Sequence, residues 1–106
     1  MKFSELNIND NIQKSLIELN FTKTTEIQTE VIPFLLESKN DLIGLAQTGT
    51  GKTAAFGIPI INQIKIKKNY TQCIILCPTR ELCIQIKKDL DVFAKYMNTK
   101  INSVYG

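Results

Sequence analysis

The sequence contains no histidine and no tryptophan, and its three cysteines, Cys73, Cys77 and Cys83, form no Cys-x-x-Cys pair. Zinc sites are built mainly from histidines and closely spaced cysteines, so this composition speaks against one. The odd number of cysteines also speaks against a disulfide framework, and we expect these side chains to act as small buried hydrophobes. No apolar run approaches the roughly 20 residues of a membrane-spanning helix, and no signal-peptide core begins the chain. The chain is therefore expected to be soluble and intracellular.

The remaining composition is that of a small globular domain. Of the 106 residues, 43% are hydrophobic and 22% are charged, which supports a packed core rather than a disordered chain. The length corresponds to one domain or to part of one. The formal net charge of +3 is compatible with a polyanionic partner but is too small to identify one.

The first third of the chain predicts two helices. Asn9 or Asp10 can cap the first, whose apolar residues recur at helical spacing at positions 12, 16 and 19. The second is predicted to begin at Thr25, because Thr25 and Gln28 have the spacing of a capping box. Pro33 should end or kink this helix, since proline offers no amide hydrogen and crowds the preceding turn.

The rest of the chain alternates apolar runs with helical patterns. Three short apolar runs favour β-strands, and they lie at residues 42–46, 71–76 and 100–105. Helical patterns run from Lys52 to about Ile64 and from Arg80 to about Met97. Alternating strands and helices are typical of a parallel sheet with right-handed crossovers, so we predict an α/β fold.

The loop after the first predicted strand fits a phosphate-binding P-loop, except that alanine replaces glycine at its first position. It consists of Ala46-Gln47-Thr48-Gly49-Thr50-Gly51-Lys52-Thr53. Gly49 and Gly51 let the backbone bend so that amide groups face the phosphates, and the following helix adds its positive end. Lys52 is predicted to reach the β- and γ-phosphates, and the Thr53 hydroxyl to bind magnesium. The competing interpretation is a glycine-rich hairpin or helix start with an incidental lysine.

Three segments resemble sequence motifs of the DEAD-box ATP-dependent RNA helicases. The P-loop resembles their motif I, which commonly begins with alanine. The segment Pro78-Thr79-Arg80-Glu81-Leu82, with Gln85, resembles motif Ia. The Q motif is similar to Phe21 and Thr25-Glu26-Ile27-Gln28, with Phe3 as the isolated aromatic residue before it. Asn20 and Thr24 stand where the family usually has glycine and proline. Residues 104–106 resemble the approach to the family's glycine pair.

The resemblance implies a parallel-sheet, RecA-like P-loop NTPase domain, of which residues 1–106 form the N-terminal half with the Q motif, motif I and motif Ia. It implies ATP and Mg²⁺ as ligands, RNA as a partner, no membrane association and a cytoplasmic location. It also implies that the remainder of the helicase chain completes this domain and adds a second one. The residues implied to bind ATP are Phe3, Phe21, Gln28, Gln47, Thr48, Gly49, Thr50, Gly51, Lys52 and Thr53, of which Lys52 and Thr53 would also serve catalysis. Those implied to contact RNA are Pro78, Thr79, Arg80, Glu81 and Gly106.

Two of these residues have a simpler interpretation. The side chain of Gln28 carries one carbonyl and one amide, so it can pair with a donor and an acceptor on adenine, but it can equally complete a helix cap. In the family the glutamine contacts the base, and Phe3 or Phe21 would pack against it. The planar guanidinium of Arg80 suits an RNA phosphate, although Arg80 and Glu81 could merely start a helix or pair with neighbours.

The family's Asp-Glu-Ala-Asp motif, Ser-Ala-Thr motif and arginine fingers do not occur in this sequence. Hydrolysis by P-loop enzymes needs an acidic magnesium ligand and a group that positions the attacking water. We therefore predict that these 106 residues bind ATP without hydrolysing it and do not unwind a duplex. A sheet that ends after its third strand should also expose an apolar edge, which would make the chain marginally stable or prone to associate.

Two other functions remain open at this stage. A different P-loop enzyme, such as a nucleoside or nucleotide kinase, would need an acceptor-binding lid and its own acidic metal ligand, and neither is recognisable. A non-catalytic RNA-binding module produced by natural truncation would bind RNA through Arg80 in a salt-dependent manner. The sequence does not identify the RNA or the pathway.

Overall fold

The computed structural model describes residues 1–45 and 51–105. In these two ranges the chain forms four α-helices: α1 (Asp10–Glu18), α2 (Glu26–Glu37), α3 (Lys52–Gln63) and α4 (Arg80–Phe93). A short 3₁₀ turn at Phe3–Glu5 precedes α1, and an isolated antiparallel bridge joins Lys2 to Lys23. None of the described helices is long and apolar enough to cross a membrane.

The first two helices begin at capping residues that the sequence predicts. The Asn9 side chain accepts a hydrogen bond from the Ile12 amide at 2.9 Å, so Asn9 rather than Asp10 is the cap of α1. Thr25 and Gln28 form the predicted capping box at the start of α2. The helix α4 was expected to reach about Met97. It ends at Phe93, and the backbone continues as turns.

The end of α1 explains the asparagine that replaces the family's glycine. Asn20 has φ 60°, in the left-handed region where glycine is preferred and asparagine is tolerated. The Phe21 amide donates to the Leu16 carbonyl at 2.9 Å and the Asn20 amide to the Ile17 carbonyl at 3.0 Å. This is the Schellman pattern of hydrogen bonds, which satisfies the last carbonyls of the helix.

α2 continues through Pro33 to Glu37. The expectation that Pro33 ends this helix is therefore wrong. Proline inside a helix costs roughly 3 kcal/mol, because one hydrogen bond is lost and the ring crowds the preceding turn. The face of α2 that carries Val31 and Ile32 is buried, and α2 packs along α3. Burial of such side chains contributes about 1.5–3 kcal/mol each, which is enough to keep the helix continuous.

The core lies where α3 packs between α2 and α4, with α1 against α4. Ile12, Leu16, Ile32 and Ile58 are fully buried there. The Ser15 hydroxyl is also fully buried, and it lies 2.8 Å from the carbonyl oxygen of Phe93, so it ties α1 to the end of α4. These contacts fix the relative positions of the helix starts that carry the candidate site.

The described residues contain no β-strand, so the predicted parallel sheet at 42–46, 71–76 and 100–105 is not confirmed. A strand requires a neighbouring backbone that completes its ladder of hydrogen bonds, and an apolar run alone does not supply one. Within the second run, the Gln72 side chain makes two hydrogen bonds, of 2.8 and 2.9 Å, to the backbone of Lys65 instead.

The same three segments expose apolar side chains. Ile43, Leu45, Ile74, Leu76 and Val104 are 88%, 90%, 75%, 90% and 89% exposed, respectively. The expectation of an exposed apolar surface is therefore met, although by irregular segments rather than by the edge of a sheet. The expected burial of the cysteines is wrong for Cys73, which lies in the segment 71–76 and is exposed, while Cys77 and Cys83 are half-buried.

Candidate functional site

The backbone turns sharply at the residue that precedes α3. Gly51 is the residue before the helix and has φ 86°, a left-handed conformation that favours glycine. Gly51 itself has no side chain that could cap the first amide groups of α3. Lys52, the first residue of the helix, is exposed, and Thr53 follows it half-buried. The remaining predicted P-loop residues, Ala46, Gln47, Thr48, Gly49 and Thr50, lie outside the described residues, as does Gly106.

The charge at this helix start differs from that of the other three helices. The first turns of α1, α2 and α4 contain Asp10, Glu26 and Glu81, whose negative charges suit the positive end of the helix dipole. The first turn of α3 contains Lys52 and no acidic residue. The charge of Lys52 therefore adds to the positive end of the helix dipole, and a bound anion would reduce the repulsion between them.

Gln28 reaches this helix start from α2. Its side chain is 4% exposed, its carbonyl oxygen accepts from the Thr25 amide at 2.9 Å, and its amide nitrogen donates to the Gly51 carbonyl at 3.2 Å. A Cβ atom added to Gly51 would lie only 2.3 Å from that amide nitrogen. The helix cap is therefore confirmed, and the same side chain also contacts the residue that begins α3.

The two candidate aromatic residues lie together near the N-terminus. Phe3 is buried and packs against Phe21, with their ring centroids 5.6 Å apart, and Phe21 also contacts Phe93 at 6.1 Å. Phe21 is half-buried, so it retains more free surface than Phe3. Packing of either ring against a base stays a prediction.

Thr24, where the family usually has proline, ties this N-terminal segment to the start of α2. Its backbone amide donates to the Met1 carbonyl at 2.9 Å, a hydrogen bond that proline could not make. Its hydroxyl also donates to the Met1 carbonyl at 3.0 Å. The departure from the family's pattern thus has a local structural reason.

The segment that resembles motif Ia lies at the start of α4, and all four of its candidate residues are exposed. Pro78 precedes the helix, the Thr79 hydroxyl accepts from the Leu82 amide at 3.1 Å, and Arg80 and Glu81 begin the first turn. The interpretation that Arg80 and Glu81 start a helix is therefore confirmed. Contact between this segment and RNA stays a prediction.

Tyr105 was not among the predicted site residues, yet it contacts one of them. The guanidinium carbon of Arg80 lies 4.5 Å from the centroid of the Tyr105 ring. The only sequence signal was that Tyr105 lies within residues 104–106, which resemble a family segment, and nothing in that pattern indicated which side chain it would meet.

The metal-binding capacity of the site is small in the part of the chain that the structure describes. No group of three histidine, cysteine or acidic side chains converges there. Magnesium bound with nucleotides commonly uses one or two protein ligands, with phosphates and water completing the octahedron. The hydroxyl of Thr53 at the start of α3 fits such a minimal role.

Comparison with known proteins gives one family. The model for the DEAD/DEAH box helicases matches residues 25–106. The chain is 48% identical over 105 residues to the ATP-dependent RNA helicase CshA of Listeria monocytogenes, an alignment that covers 99% of this chain and 20% of that protein. The chain thus spans about a fifth of the length of this curated relative.

Solved structures agree with this result. The RNA helicase Prp28 from Chaetomium thermophilum, bound to ADP, superposes with a TM-score of 0.87 and 33% identity, covering 99% of this chain and 26% of that one. Dbp5 of S. cerevisiae, bound to RNA and ADP BeF3, has a TM-score of 0.87 and 31% identity, covering 92% of this chain and 25% of that one. The described helices are therefore arranged as in the corresponding quarter of these proteins.

Proposed function

This chain belongs to the DEAD/DEAH box helicase family, and from that premise we propose that the start of α3 holds the phosphates of ATP while Gln28 selects the adenine. The observation that carries the proposal is the 3.2 Å hydrogen bond from the Gln28 amide to the Gly51 carbonyl. It brings the residue suited to recognise a base next to the helix start suited to bind phosphate. Neither the capping box nor the P-loop pattern requires that contact.

The phosphate part of the proposal rests on the charge and backbone of α3. Gly51 offers no capping side chain to the first amides, Lys52 supplies a positive charge, and the first turn contains no acid. The negative charge of a triphosphate would complement this helix start. Thr53 would hold Mg²⁺ through its hydroxyl, and the ion when bound would neutralise phosphate charge.

The adenine part rests on the hydrogen-bonding capacity of a carboxamide. Gln28 uses one N–H toward Gly51 and one lone pair toward Thr25. A carboxamide has a second N–H and a second lone pair, so it can contact the edge of a base while it keeps the cap. Guanine presents a different order of donors and acceptors, so the same side chain would favour ATP over GTP.

The RNA part rests on the exposed start of α4. Arg80 presents a planar guanidinium in solvent beside the exposed residues Pro78, Thr79 and Glu81. Arginine binds phosphate with two parallel hydrogen bonds, which suits the backbone of a single strand. A structural relative with the same helix arrangement is bound to RNA and a nucleotide, which supports the same ligands here.

The activity of the whole protein is part of the proposal, because the chain spans about a fifth of the relatives. We assign it to an α/β, RecA-like helicase domain of a cytoplasmic enzyme that remodels RNA with ATP. The remainder of that protein would supply the acidic residues of hydrolysis. The 106 residues by themselves are proposed to bind ATP and RNA without turnover.

The test is a titration of the chain with fluorescent analogues of ATP and GTP in the presence of Mg²⁺. We expect a preference for ATP that disappears in Gln28→Ala, and loss of binding to both nucleotides in Lys52→Ala. The matched control is Gln63→Ala, because the Gln63 amide donates to the Leu35 carbonyl at 2.9 Å and ties α3 to α2 at the opposite end. This control should keep the preference.

Three results would contradict the proposal. Equal affinity for ATP and GTP in the unmodified chain would point to another P-loop enzyme. An unchanged preference in Gln28→Ala would leave Gln28 as a helix cap alone. RNA-stimulated release of phosphate by the pure chain would show that these residues suffice for hydrolysis.

A further inference from the structure

The contact between Arg80 and Tyr105 joins two exposed side chains that are distant in sequence. The Arg80 guanidinium carbon lies 4.5 Å from the Tyr105 ring centroid, within the range of a cation–π interaction. Tyr105 is 45% exposed, so its ring is neither part of the core nor fully free in solvent. The pair therefore lies at the surface, beside the candidate RNA-binding residues.

A stacked guanidinium keeps its capacity to bind phosphate. The ring covers one flat face of the guanidinium, whereas the five N–H groups point outward in its plane. An ion pair with a carboxylate would instead occupy those donors. Among residues 1–45 and 51–105 the ion pairs are Lys87–Asp91 and Lys95–Glu18, and neither includes Arg80.

The ring also reduces the freedom of a long side chain. An exposed arginine has large rotamer entropy, which it loses when it binds a phosphate. Contact with Tyr105 restricts the guanidinium before the ligand arrives, so less entropy is lost on binding. A side chain of similar size without a ring would give no such restriction.

The other tyrosine with a cation contact serves a different purpose. Tyr96 lies under Lys14 at 4.2 Å, but its hydroxyl also donates to Glu18, so it belongs to a cluster that joins α1 to the residues after α4. Tyr105 has its recorded contact with a residue already assigned to the RNA surface. This difference separates a positioning role from a purely structural one.

We propose that Tyr105 is a positioning residue for Arg80: its ring holds the guanidinium in place for a phosphate of single-stranded RNA. This inference rests on the proposed RNA contact of Arg80. It adds a residue outside motif Ia to the RNA surface and gives it a role that does not require its hydroxyl group.

The experiment measures binding of a fluorescein-labelled single-stranded oligouridylate by anisotropy, at several salt concentrations. Tyr105→Leu should weaken binding about two- to fivefold, which is the loss expected from an exposed cation–π contact. Tyr105→Phe should retain the affinity, because the ring remains. Tyr70→Leu is the matched control, since Tyr70 is likewise exposed. It should bind as the unmodified chain does.

Two further measurements separate positioning from direct contact. In the Arg80→Ala background, Tyr105→Leu should cause no additional loss, since the ring acts through the arginine. The dependence of affinity on salt should also become shallower in Tyr105→Leu, because a phosphate contact is weakened. A direct stacking contact between the ring and a base would leave that dependence unchanged.

The outcomes distinguish failure of the inference from failure of the proposed function. Weak binding by Arg80→Ala together with unchanged binding by Tyr105→Leu would overturn the positioning role and leave the RNA contact intact. Additive losses, or an unchanged salt dependence, would overturn it as well. Unchanged binding by Arg80→Ala would instead contradict the RNA contact itself. Circular dichroism of each variant would identify a general loss of folding.

Discussion

The amide nitrogen of Gln28 lies 3.2 Å from the carbonyl oxygen of Gly51, while the carbonyl oxygen of the same side chain caps α2 through the Thr25 amide at 2.9 Å. One carboxamide thus links the beginnings of two helices. A ligand that moves the start of α3 would therefore also disturb the cap of α2. A substitution at Gln28 affects both helix starts. Mutation of Gln28 can separate its two interactions, the cap of α2 and the contact with Gly51.

Gln28→Glu should separate the helix cap from the contact with Gly51. A glutamate still accepts from the Thr25 amide, but its carboxylate would be buried facing the Gly51 carbonyl without a donor, so the free energy of unfolding should fall by about 1–3 kcal/mol. It cannot donate to the Gly51 carbonyl, and its negative charge would oppose phosphate binding nearby. Nucleotide affinity and stability should therefore both fall, although the cap of α2 is kept.

The comparison variant is Gln28→Ala, which removes both interactions and should lose about 1 kcal/mol of stability in urea unfolding as well. Nucleotide binding by Gln28→Glu at the unmodified level would mean that the Gly51 contact is irrelevant to the ligand.

Gly51→Ala should destabilise the chain by about 1–2 kcal/mol, because an L-residue disfavours positive φ. The added Cβ would also lie 2.3 Å from the Gln28 amide nitrogen. Gly44→Ala is the control, since a Cβ there would lie at ordinary distances of 3.7 and 3.8 Å from Ile27 and Val31. Equal losses in the two variants, measured by urea unfolding, would argue against a special conformation at Gly51.

Asn20→Gly should stabilise the chain, since glycine adopts the positive φ of this position without steric cost. We expect a gain of up to about 1 kcal/mol, and a loss of similar size for Asn20→Ala. Thermal unfolding of the two variants provides the measurement. A gain in Asn20→Ala would be incompatible with the left-handed conformation.

Glu18 gives the chain an acid-sensitive contact between α1 and the residues after α4. A hydrogen bond from Tyr96, followed by Lys95 at 3.2 Å, lowers the pKa of Glu18 below its ordinary value of 4.5. A lowered pKa means that the stabilisation is present above pH 4.5 and is lost as the pH falls through the folded-state value. Glu18 also raises the pKa of Tyr96 above 10.0, so the contribution is lost again in strong alkali.

The measurement is urea unfolding of the unmodified chain and of Glu18→Gln, from about pH 3 to about pH 8. We expect a stability difference between them that is constant at neutral pH and shrinks toward acid. Glu30→Gln, at another exposed glutamate, should show no such change. A stability difference between the two chains that grows as the pH falls would contradict the lowered pKa of Glu18.

The exposed apolar segments should make the isolated chain associate. Ile74 and Leu76 are 75% and 90% exposed, and contiguous apolar surface of this kind promotes contact between molecules. Ile74→Lys with Leu76→Lys should shift sedimentation toward the monomer at high concentration. Ile17→Lys is the control, because Ile17 is 72% exposed and belongs to α1 rather than to these segments. An unmodified chain that stays monomeric would contradict the prediction.

The sequence by itself determined where the helices begin and that the backbone turns at Gly51. Asn9, Thr25 and Thr79 cap helices through hydrogen bonds to residues three positions along the chain, and the pattern at Gly51 marks a turn that only glycine adopts easily. Such interactions are local, so the order of residue types suffices to predict them. The family resemblance rested on the same local patterns and was confirmed.

The tertiary structure decided which of these local features meet. The contact of Gln28 with Gly51, that of Arg80 with Tyr105, and the passage of α2 through Pro33 depend on packing between helices. The apolar runs show the opposite case, because strands form only when another backbone lies alongside, and the described residues supply none. Contacts between distant residues follow from the packed core, which no local pattern specifies.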